Sequence, residues 1–305
     1  MKRVLVTGAT GFVGRHSLAP LLARGYEVHA VAKGEPPRGP EFAGVEWHRA
    51  DLLDEARSSA LVSELSPTHL LHFAWYAAPG KFWTSPENLR WVQASLGLLR
   101  AFAEAGGRRV VAAGTCAEYE WGHEEPCSEA ATPLRPATLY GVCKHAWRLV
   151  LEAYAAQAGL SAAWGRVFFL YGPHEHPDRL VASVVGALLR GEEARCSHGR
   201  QVRDILHVAD VAEAFVALLD SEATGAFNVG SGRPVALREV ITEVGERVGR
   251  PELVRLGAVE ARAGEPPVIA ADTTRLNEEV GWRPRYELGT GLEQTVAWWR
   301  EHLPR

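Results

Sequence analysis

Cysteine is scarce in this sequence and widely spaced. The 305 residues include 4 cysteines, namely Cys116, Cys127, Cys143 and Cys196. Their spacing matches neither the framework of a disulfide-rich domain nor the close cysteine pairs of a zinc site. We therefore expect no disulfides and no metal site.

Long apolar runs and clusters of positive charge are missing as well. No stretch approaches the roughly 18 consecutive apolar residues that a membrane-spanning helix needs. The apolar residues after Arg3 stop at Val6, which is too short for the core of a signal peptide. The formal net charge is −4 and the basic residues are scattered, which argues against nucleic-acid binding. The sequence predicts a cytoplasmic protein with no membrane or nucleic-acid partner.

Short β-branched runs alternate with longer amphipathic segments through the first half of the chain. The predicted strands are Arg3–Val6, Glu27–Ala32, Gly44–Trp47, Leu70–Phe73, Arg109–Ala113 and Arg166–Phe169. Strands that alternate with helices of this length imply βαβ units and a parallel sheet. Later predicted helices are Leu180–Arg190, Val208–Leu219, Leu237–Val248 and Thr290–His302.

The predicted fold class is therefore α/β, with a doubly wound parallel (Rossmann) sheet and a smaller, mostly C-terminal substrate domain. The dinucleotide-binding domain is expected over residues 1–165 and the substrate domain over 166–305. Part of the segment 204–230 is expected to return to the first domain. Because no linker is visible between the two parts, they are expected to pack closely together.

A glycine-rich turn follows the first predicted strand and opens a helix. Positions 8 to 14 read Gly-Ala-Thr-Gly-Phe-Val-Gly. Glycine permits so tight a turn, and it lets a pyrophosphate approach the backbone amides at the helix N-terminus. The pattern predicts that a dinucleotide contacts Gly8, Gly11, Phe12, Val13 and Gly14.

The end of the second predicted strand bears on which dinucleotide binds. An acidic residue there would bind the adenosine ribose, whereas a basic residue would receive a 2′-phosphate. The sequence has Lys33 at this point with Arg38 nearby, and Glu35 lies two residues too far along. These residues favour NADP(H), while NAD(H) stays possible because Lys33 is equally compatible with a solvated surface position.

A tyrosine and a lysine four residues apart provide a second chemical signal. Tyr140 and Lys144 share one face of a predicted helix, so a phenol and an ammonium can meet one ligand. The cation, with a positively charged nicotinamide nearby, would lower the pKa of the tyrosine toward working pH, as general acid–base chemistry requires. Thr115, just beyond a predicted strand, lies where parallel sheets hold ligand-facing groups.

In this order, the segments resemble the extended short-chain dehydrogenase/reductases, and within them the epimerases, dehydratases and reductases of nucleotide-linked sugars. The matching segments are Thr7–Gly14, Asp51-Leu52, His72–Ala74, Gly114–Tyr119, Tyr140–Lys144, Arg166–Pro173, Arg203–Val208 and Arg262–Glu265. The resemblance implies that Thr115, Tyr140 and Lys144 form the catalytic set. It covers nearly the whole chain.

The resemblance also implies where the two ligands bind. Cofactor contacts are implied for Asp51, Leu52, Phe73, Ala74, Tyr140 and Lys144, the first two flanking the adenine. A nucleotide-sugar substrate would meet Thr115, Phe169, Arg203 and Arg262. The two arginines would hold its diphosphate, which suits the forked guanidinium.

A homodimer is implied as well. In the family, two helices that correspond to Pro86–Ala105 and Tyr140–Gln157 form a four-helix interface between protomers. The second segment offers more apolar surface than one sheet contact needs, from Trp147, Leu149, Val150, Leu151 and Tyr154.

Departures from the family pattern narrow the activity. The 4,6-dehydratases carry an Asp-Glu pair directly after the catalytic threonine, and this sequence has Cys116 and Ala117 there, which disfavours water elimination. Phe169 and Ser95 stand where relatives place asparagine. The aromatic loop Trp75–Trp83 could line the binding site of the sugar or the base. Packing against the sheet edge is an equally good interpretation of this loop.

The favoured function is reduction of an NDP-4-keto-6-deoxyhexose to its 4-hydroxy form, with Tyr140 protonating the oxygen. An NDP-sugar 4-epimerase with a retained NAD is the closest alternative, since it uses the same residues. A non-catalytic dinucleotide-sensing regulator is the alternative of another class. Such a regulator would be expected to lack Tyr140 and Lys144, and the sequence has both.

Overall fold

The computed structural model describes residues 2–122 and 124–303. Its strands, in chain order, are β1 (Arg3–Thr7), β2 (Glu27–Ala32), β3 (Val45–Arg49), β4 (His69–His72), β5 (Arg109–Thr115), β6 (Ser161–Val167), β7 (Phe169–Tyr171), β8 (Ala194–Arg195), β9 (Val202–His207), β10 (Gly225–Val229), β11 (Pro234–Ala236), β12 (Val254–Arg255) and β13 (Val268–Ile269). Its α-helices are α1 (Phe12–Ala23), α2 (Glu55–Leu65), α3 (Glu87–Glu104), α4 (Leu139–Ala158), α5 (Leu180–Leu189), α6 (Val208–Asp220), α7 (Leu237–Val248), α8 (Thr274–Glu279) and α9 (Leu288–His302).

A seven-stranded parallel sheet forms the larger part of the molecule. Its strand order is β10-β6-β5-β4-β1-β2-β3. The order reverses between β1 and β4, so the carboxyl ends of these strands, at Thr7 and His72, border a crevice. Open α/β sheets bind ligands at such a switch point. The α/β doubly wound prediction is confirmed.

Apolar side chains cover both faces of this sheet. On one face α1 and α6 bury Leu18, Phe215 and Leu218 against the strands. On the other face α2, α3 and α4 bury residues such as Phe102 and Trp147. Burying each large apolar side chain contributes about 1.5–3 kcal/mol, so the helices hold the strand ends in fixed positions.

A second, smaller sheet is organised around β9. Strand β11 pairs with β9 antiparallel, while β13 and β7 pair in parallel with successive parts of β9. Helices α5, α7 and α9 pack together in a separate apolar core that includes Val185, Val244 and Val296. The smaller sheet is nevertheless joined to the first core, because Leu206 of β9 packs with Phe215 and Leu71.

The prediction of one strand over Arg166–Phe169 is wrong. Strand β6 ends at Val167 in the large sheet, and β7 begins at Phe169 in the small one. Between them the amide of Phe168 donates to the Val229 carbonyl at 3.2 Å. One continuous apolar run therefore crosses from one sheet to the other, which residue pattern alone does not reveal.

None of the helices within residues 2–122 and 124–303 has the length and apolarity needed to cross a bilayer.

Candidate active site

The glycine-rich turn leaves room for a ligand's phosphates at the end of β1. Gly8 has φ +68°, and a Cβ there would lie 2.7 Å from the amide nitrogen of Ala74. A Cβ at Gly14 would lie 2.2 Å from the Gly8 carbonyl oxygen. Both positions therefore require glycine, one for its backbone conformation and the other for close approach.

Helix α1 begins directly at this turn. Gly11 is its N-cap residue and carries no side chain that would occupy the first amides. Phe12 and Val13 form the first turn, and Phe73 and Ala74 follow β4 beside Gly8. Free amides at a helix N-terminus bind anions, so these residues fit the pyrophosphate of a dinucleotide.

An ion pair lies at the end of β2, where the sequence predicts that charge determines the choice of cofactor. Nζ of Lys33 lies 2.9 Å from Oδ2 of Asp51, and this contact lowers the pKa of the Asp51 carboxyl. Oδ1 of Asp51 accepts from the Leu53 amide. The ammonium expected to receive a 2′-phosphate is thus already paired with a carboxylate, because β2 and β3 end side by side.

Thr115 and Tyr140 meet at the carboxyl end of β5. Helix α4 begins beside them, where a Cβ on Gly141 would lie 2.4 Å from the Ala117 carbonyl oxygen. This close approach brings the first turn of α4 against the end of β5, and Thr138 caps that turn by accepting from the Gly141 amide. The Thr115 side chain acts on Tyr140 as a hydrogen-bonding neighbour that lowers its pKa.

The aromatic loop Trp75–Trp83 encloses this tyrosine. The ring centroids of Phe82 and Trp83 lie 4.8 and 5.8 Å from that of Tyr140, both edge-on. The Tyr140 amide donates to the Trp83 carbonyl at 3.1 Å. Burial raises the pKa of the Tyr140 phenol, and this effect exceeds the opposing effect of Thr115.

Lys144 is buried one helical turn after Tyr140. Its Nζ donates to the Ala113 carbonyl at 2.8 Å and lies 3.9 Å from the ring centroid of Trp75. Burial lowers the pKa of Lys144 to about 7, with Glu118 acting in the opposite direction. The Lys144 ammonium is directed to Ala113 and Trp75, and desolvation is the largest effect on the pKa of Tyr140. Tuning of the phenol by Lys144 and a bound nicotinamide stays a prediction.

The sequence interpretation missed Glu118, which supports Thr115. Glu118 is fully buried, and its Oε1 accepts from the Thr115 amide at 2.9 Å and from Trp164 Nε1 at 2.8 Å. Its Oε2 accepts from Nε of Arg166 at 3.0 Å. The signal was present as Thr-x-x-Glu, the pattern of a capping box.

Ser95 belongs to a buried hydrogen-bond chain. Thr7 Oγ1 lies 2.7 Å from Nδ1 of His72, and Nε2 of His72 lies 2.9 Å from Ser95 Oγ. Burial and the nearby Lys144 charge lower the pKa of His72 to about 3, so this histidine is neutral. These hydrogen bonds fix the ends of β1 and β4, which border the crevice.

The residues predicted for the substrate diphosphate lie in the smaller sheet and the loop before β13. The Arg203 guanidinium lies 5.4 Å from the ring centroid of Phe169. Its Nη2 pairs with Oε1 of Glu265 at 2.9 Å and donates to the Pro266 carbonyl. Arg262 is exposed three residues before Glu265, so the Arg203–Glu265 pair ties its loop to β9. Phosphate binding by either arginine stays a prediction.

Arg179 is a further cation that the sequence interpretation missed. Its guanidinium lies 5.5 Å from the ring centroid of Phe82, and its charge lowers the pKa of Tyr140. It precedes α5 in a segment that carries no recognisable motif. Arg179 can be identified only from the folded structure, in which Phe82 contacts both Tyr140 and Arg179.

Comparisons with known proteins agree with this geometry. The family model described as NAD dependent epimerase/dehydratase family matches residues 4–230. A UDP-glucose 4-epimerase of Rhizobium meliloti (strain 1021) is 27% identical, over 97% of this chain and 96% of that protein.

Solved structures are similar along the whole chain. The UDP-glucose 4-epimerase of Thermus thermophilus in complex with NAD is 30% identical with a TM-score of 0.87, covering 99% of this chain and 100% of that one. MoeE5 in complex with UDP-glucuronic acid and NAD is 33% identical with a TM-score of 0.86, over the same shares of the two chains.

Proposed function

The chain belongs to the NAD-dependent epimerase/dehydratase family of extended short-chain dehydrogenase/reductases, and we propose that it is a 4-epimerase of a UDP-linked sugar with a retained NAD. The observation that carries this proposal is the junction of Thr115 and Tyr140 at the end of β5, without an acid–base pair at positions 116 and 117. It replaces the reductase expectation, because the similar proteins named above include UDP-glucose 4-epimerases.

The residues after Thr115 do not supply the groups that a dehydratase needs. Elimination of water needs a general acid and a general base beside the sugar. Ala117 has no titratable group, and burial raises the pKa of the Cys116 thiol, which is therefore neutral at physiological pH. A neutral buried thiol is a poor substitute for an aspartic acid, so the dehydratase branch of the family is disfavoured.

The side chains support oxidation and reduction at a sugar hydroxyl. NAD, when bound, would supply a reversible acceptor for a hydrogen with its electron pair, as inversion at the sugar carbon requires. Tyr140 takes the hydroxyl proton and later gives it back, while Thr115 orients the same oxygen by hydrogen bonding. Lys144 would hold the cofactor ribose, and its positive charge would oppose the desolvation that raises the Tyr140 pKa.

NAD is proposed in place of the expected NADP. The NADP preference rested on Lys33 and Arg38, and the Lys33 ammonium is paired with Asp51. A 2′-phosphate would approach that carboxylate and would have to displace it. NAD carries a ribose hydroxyl at this position, for which a carboxylate is a good hydrogen-bond acceptor.

A homodimer remains part of the proposal. Helices α3 and α4 pack on one another, and their outer surface exposes Leu89, Val142, Leu149 and Val150. Val142, Leu149 and Val150 follow helical spacing, so they form one stripe on α4. Trp147 and Leu151, also expected at this surface, are buried in the monomer core.

Analysis of the purified protein tests the proposed function. Mass spectrometry of the supernatant after denaturation should detect NAD, and UDP-glucose incubated without added cofactor should yield UDP-galactose. UDP-glucuronic acid serves as the second substrate, because Arg179 places a positive charge near Tyr140. Stoichiometric NADPH consumption with an NDP-4-keto-6-deoxyhexose, and no epimerisation of either UDP-sugar, would show that the protein is a reductase and that the epimerase proposal is wrong.

A further inference from the structure

Two histidines and a glutamate meet on the outer strands of the large sheet, away from the strand ends that form the active site. Strands β2 and β3 pair in parallel, with His29 opposite Glu46 and Val31 opposite His48. Because side chains alternate along a strand, His29, Glu46 and His48 project from the same face of the sheet. His29 is buried, His48 is half-buried and Glu46 is exposed.

Ligand atoms of the three side chains all lie within 4.8 Å of one another. His29 Nδ1 lies 2.9 Å from His48 Nε2. Glu46 straddles the pair, with Oε2 at 3.6 Å from His29 Nδ1 and Oε1 at 3.7 Å from His48 Nε2. Ligands about 2.0–2.1 Å from a tetrahedral metal are separated from one another by about 3.4 Å. The three distances lie on either side of that value.

A second carboxylate fixes the orientation of the buried ring. His29 Nε2 lies 3.0 Å from Oε1 of Glu27, two residues earlier on β2. A carboxylate accepts only, so in the neutral ring the proton lies on Nε2 and the Nδ1 lone pair is directed toward His48 and Glu46. Metal-binding histidines are held in this way by a carboxylate on the other nitrogen.

We propose that His29, His48 and Glu46 form a binding site for a divalent late first-row transition metal, with Zn²⁺ as the best-suited ion. Two imidazoles and one carboxylate are ligands that zinc commonly takes, and water would complete the tetrahedron on the exposed side of Glu46. The expectation of no metal site rested on cysteine spacing, and the site proposed here uses no cysteine.

The position of the site suggests a structural role. It joins β2 to β3, the edge strand of the sheet, and these two strands end at Ala32 and Arg49, next to Lys33 and Asp51. A metal that binds only the folded pair raises the melting temperature as its concentration rises. The site is separate from Thr115 and Tyr140, so metal binding and epimerase activity can be measured independently.

Titration of the full chain with ZnCl₂ after chelator treatment and dialysis tests the proposal. We expect one ion per chain by calorimetry and an upward shift of the melting temperature. His48→Ala and Glu46→Ala should remove the stoichiometric site, and neither change affects a fully buried group. Glu27→Gln should weaken binding about 10–100-fold, the usual effect of removing a carboxylate behind a ligating histidine.

His198→Ala is the matched control, because His198 lies outside the proposed ligand set in the segment before β9, and it should leave zinc binding unchanged. Co²⁺ adds a geometric readout, since a four-coordinate cobalt site absorbs visible light strongly and a six-coordinate site does so weakly. The proposal fails if the wild type shows no 1:1 binding at micromolar zinc.

It also fails if His48→Ala binds as the wild type does while His174→Ala loses the ion. That result would assign zinc to another group of histidines, since the rings of His16, His174 and His302 also lie close together.

Discussion

The Nζ of Lys144 lies 3.9 Å from the ring centroid of Trp75, so the aromatic loop contacts a cation that we propose takes part in catalysis. A buried ammonium gains from the negative face of an indole ring, though less than it loses by leaving water. Burial lowers the pKa of Lys144 to about 7, with Glu118 acting in the opposite direction. The aromatic loop therefore packs directly on the ammonium that α4 carries.

Replacement of Tyr140 tests the proposed proton transfer. Tyr140→Phe keeps the ring between Phe82 and Trp83 and removes the acidic hydrogen. Turnover should fall about 10²–10⁴-fold, the contribution of a positioned general acid–base. Tyr154→Phe, on the same helix, is the control and should retain wild-type turnover. Thr115→Val should cost less than Tyr140→Phe, and the opposite order would contradict the assigned roles.

The pH dependence of stability tests the state of Lys144. Its pKa is about 7 in the folded protein and has the ordinary value of 10.5 when unfolded. The unfolded chain thus binds more protons between these values, and stability rises with pH across that window. The free-energy cost of burying the charged Lys144 ammonium is fully present below about pH 7 and is absent above pH 10.5.

Lys144→Met removes this group with little change in length. In cofactor-stripped protein, the free energy of unfolding of wild type relative to Lys144→Met should increase from about pH 7 toward about pH 10. Urea titrations at several pH values measure the difference. A difference that does not change with pH would show that the ammonium is as well solvated in the fold as outside it.

The Lys33–Asp51 pair leads to a prediction about cofactor choice. Wild-type protein should bind NADH at least as tightly as NADPH, because the only ammonium at the tip of β2 among the described residues is already paired. Asp51→Asn frees Lys33 and should improve NADPH binding relative to NADH by up to about tenfold, or about 1.4 kcal/mol. Glu35→Gln breaks a neighbouring exposed pair with Arg49 and controls for the change in net charge. An equal gain in NADPH binding by Asp51→Asn and Glu35→Gln would show that the gain comes from the change in net charge and not from the release of Lys33.

Arg203 and Arg262 should respond differently to substitution. Arg262→Ala should raise KM for the nucleotide sugar about 10–100-fold, since a charged hydrogen bond to phosphate contributes about 1.5–3 kcal/mol. Its melting temperature should stay unchanged because Arg262 is exposed. Arg203→Ala should lower stability as well, since this buried guanidinium bonds to Glu265 and Pro266. Exposed Arg200→Ala is the control, and an unchanged KM in Arg262→Ala would remove that residue from the site.

The exposed stripe on α4 predicts the assembly state. Light scattering should give twice the chain mass of 33.3 kDa at micromolar concentrations. Leu149→Glu introduces a charge into the stripe and should yield monomers, whereas Leu256→Glu, at a similarly exposed leucine elsewhere, should not. A wild type that elutes and scatters as a 33.3 kDa particle would refute the dimer.

Much of the fold follows from local pattern. Strand Glu27–Ala32 and helix Leu237–Val248 have the predicted bounds, because glycine or proline lies close to the ends of each. The Arg166–Phe169 prediction failed because the apolar run continues while its hydrogen-bond partners change from β5 and β10 to β9. No periodicity records a change of partner strand.

The site was predictable where a motif lies on one element and unpredictable where two strands meet. The glycine turn and the Tyr140–Lys144 pair are local, so the sequence carries them. The Lys33–Asp51 pair and the His29–His48 contact depend on the register of β2 against β3, which only the folded sheet sets. The rise in the Tyr140 pKa likewise depends on burial by a loop about 60 residues earlier in the chain, the span from Trp75–Trp83 to α4.

Strand β10 has a consequence for how the chain is made. It completes the large sheet beside β6, yet it emerges only after β7, α5, β9 and α6 have been synthesised. Arg109 of β5 also waits for late segments, since it donates to the carbonyls of Leu219 and Ala223. Until residue 229 has left the ribosome, β6 is an unpaired apolar edge of the kind that promotes aggregation. A fragment ending at Val167 would expose this edge permanently, so the predicted dinucleotide-binding domain, residues 1–165, is not expected to be obtainable by simple truncation.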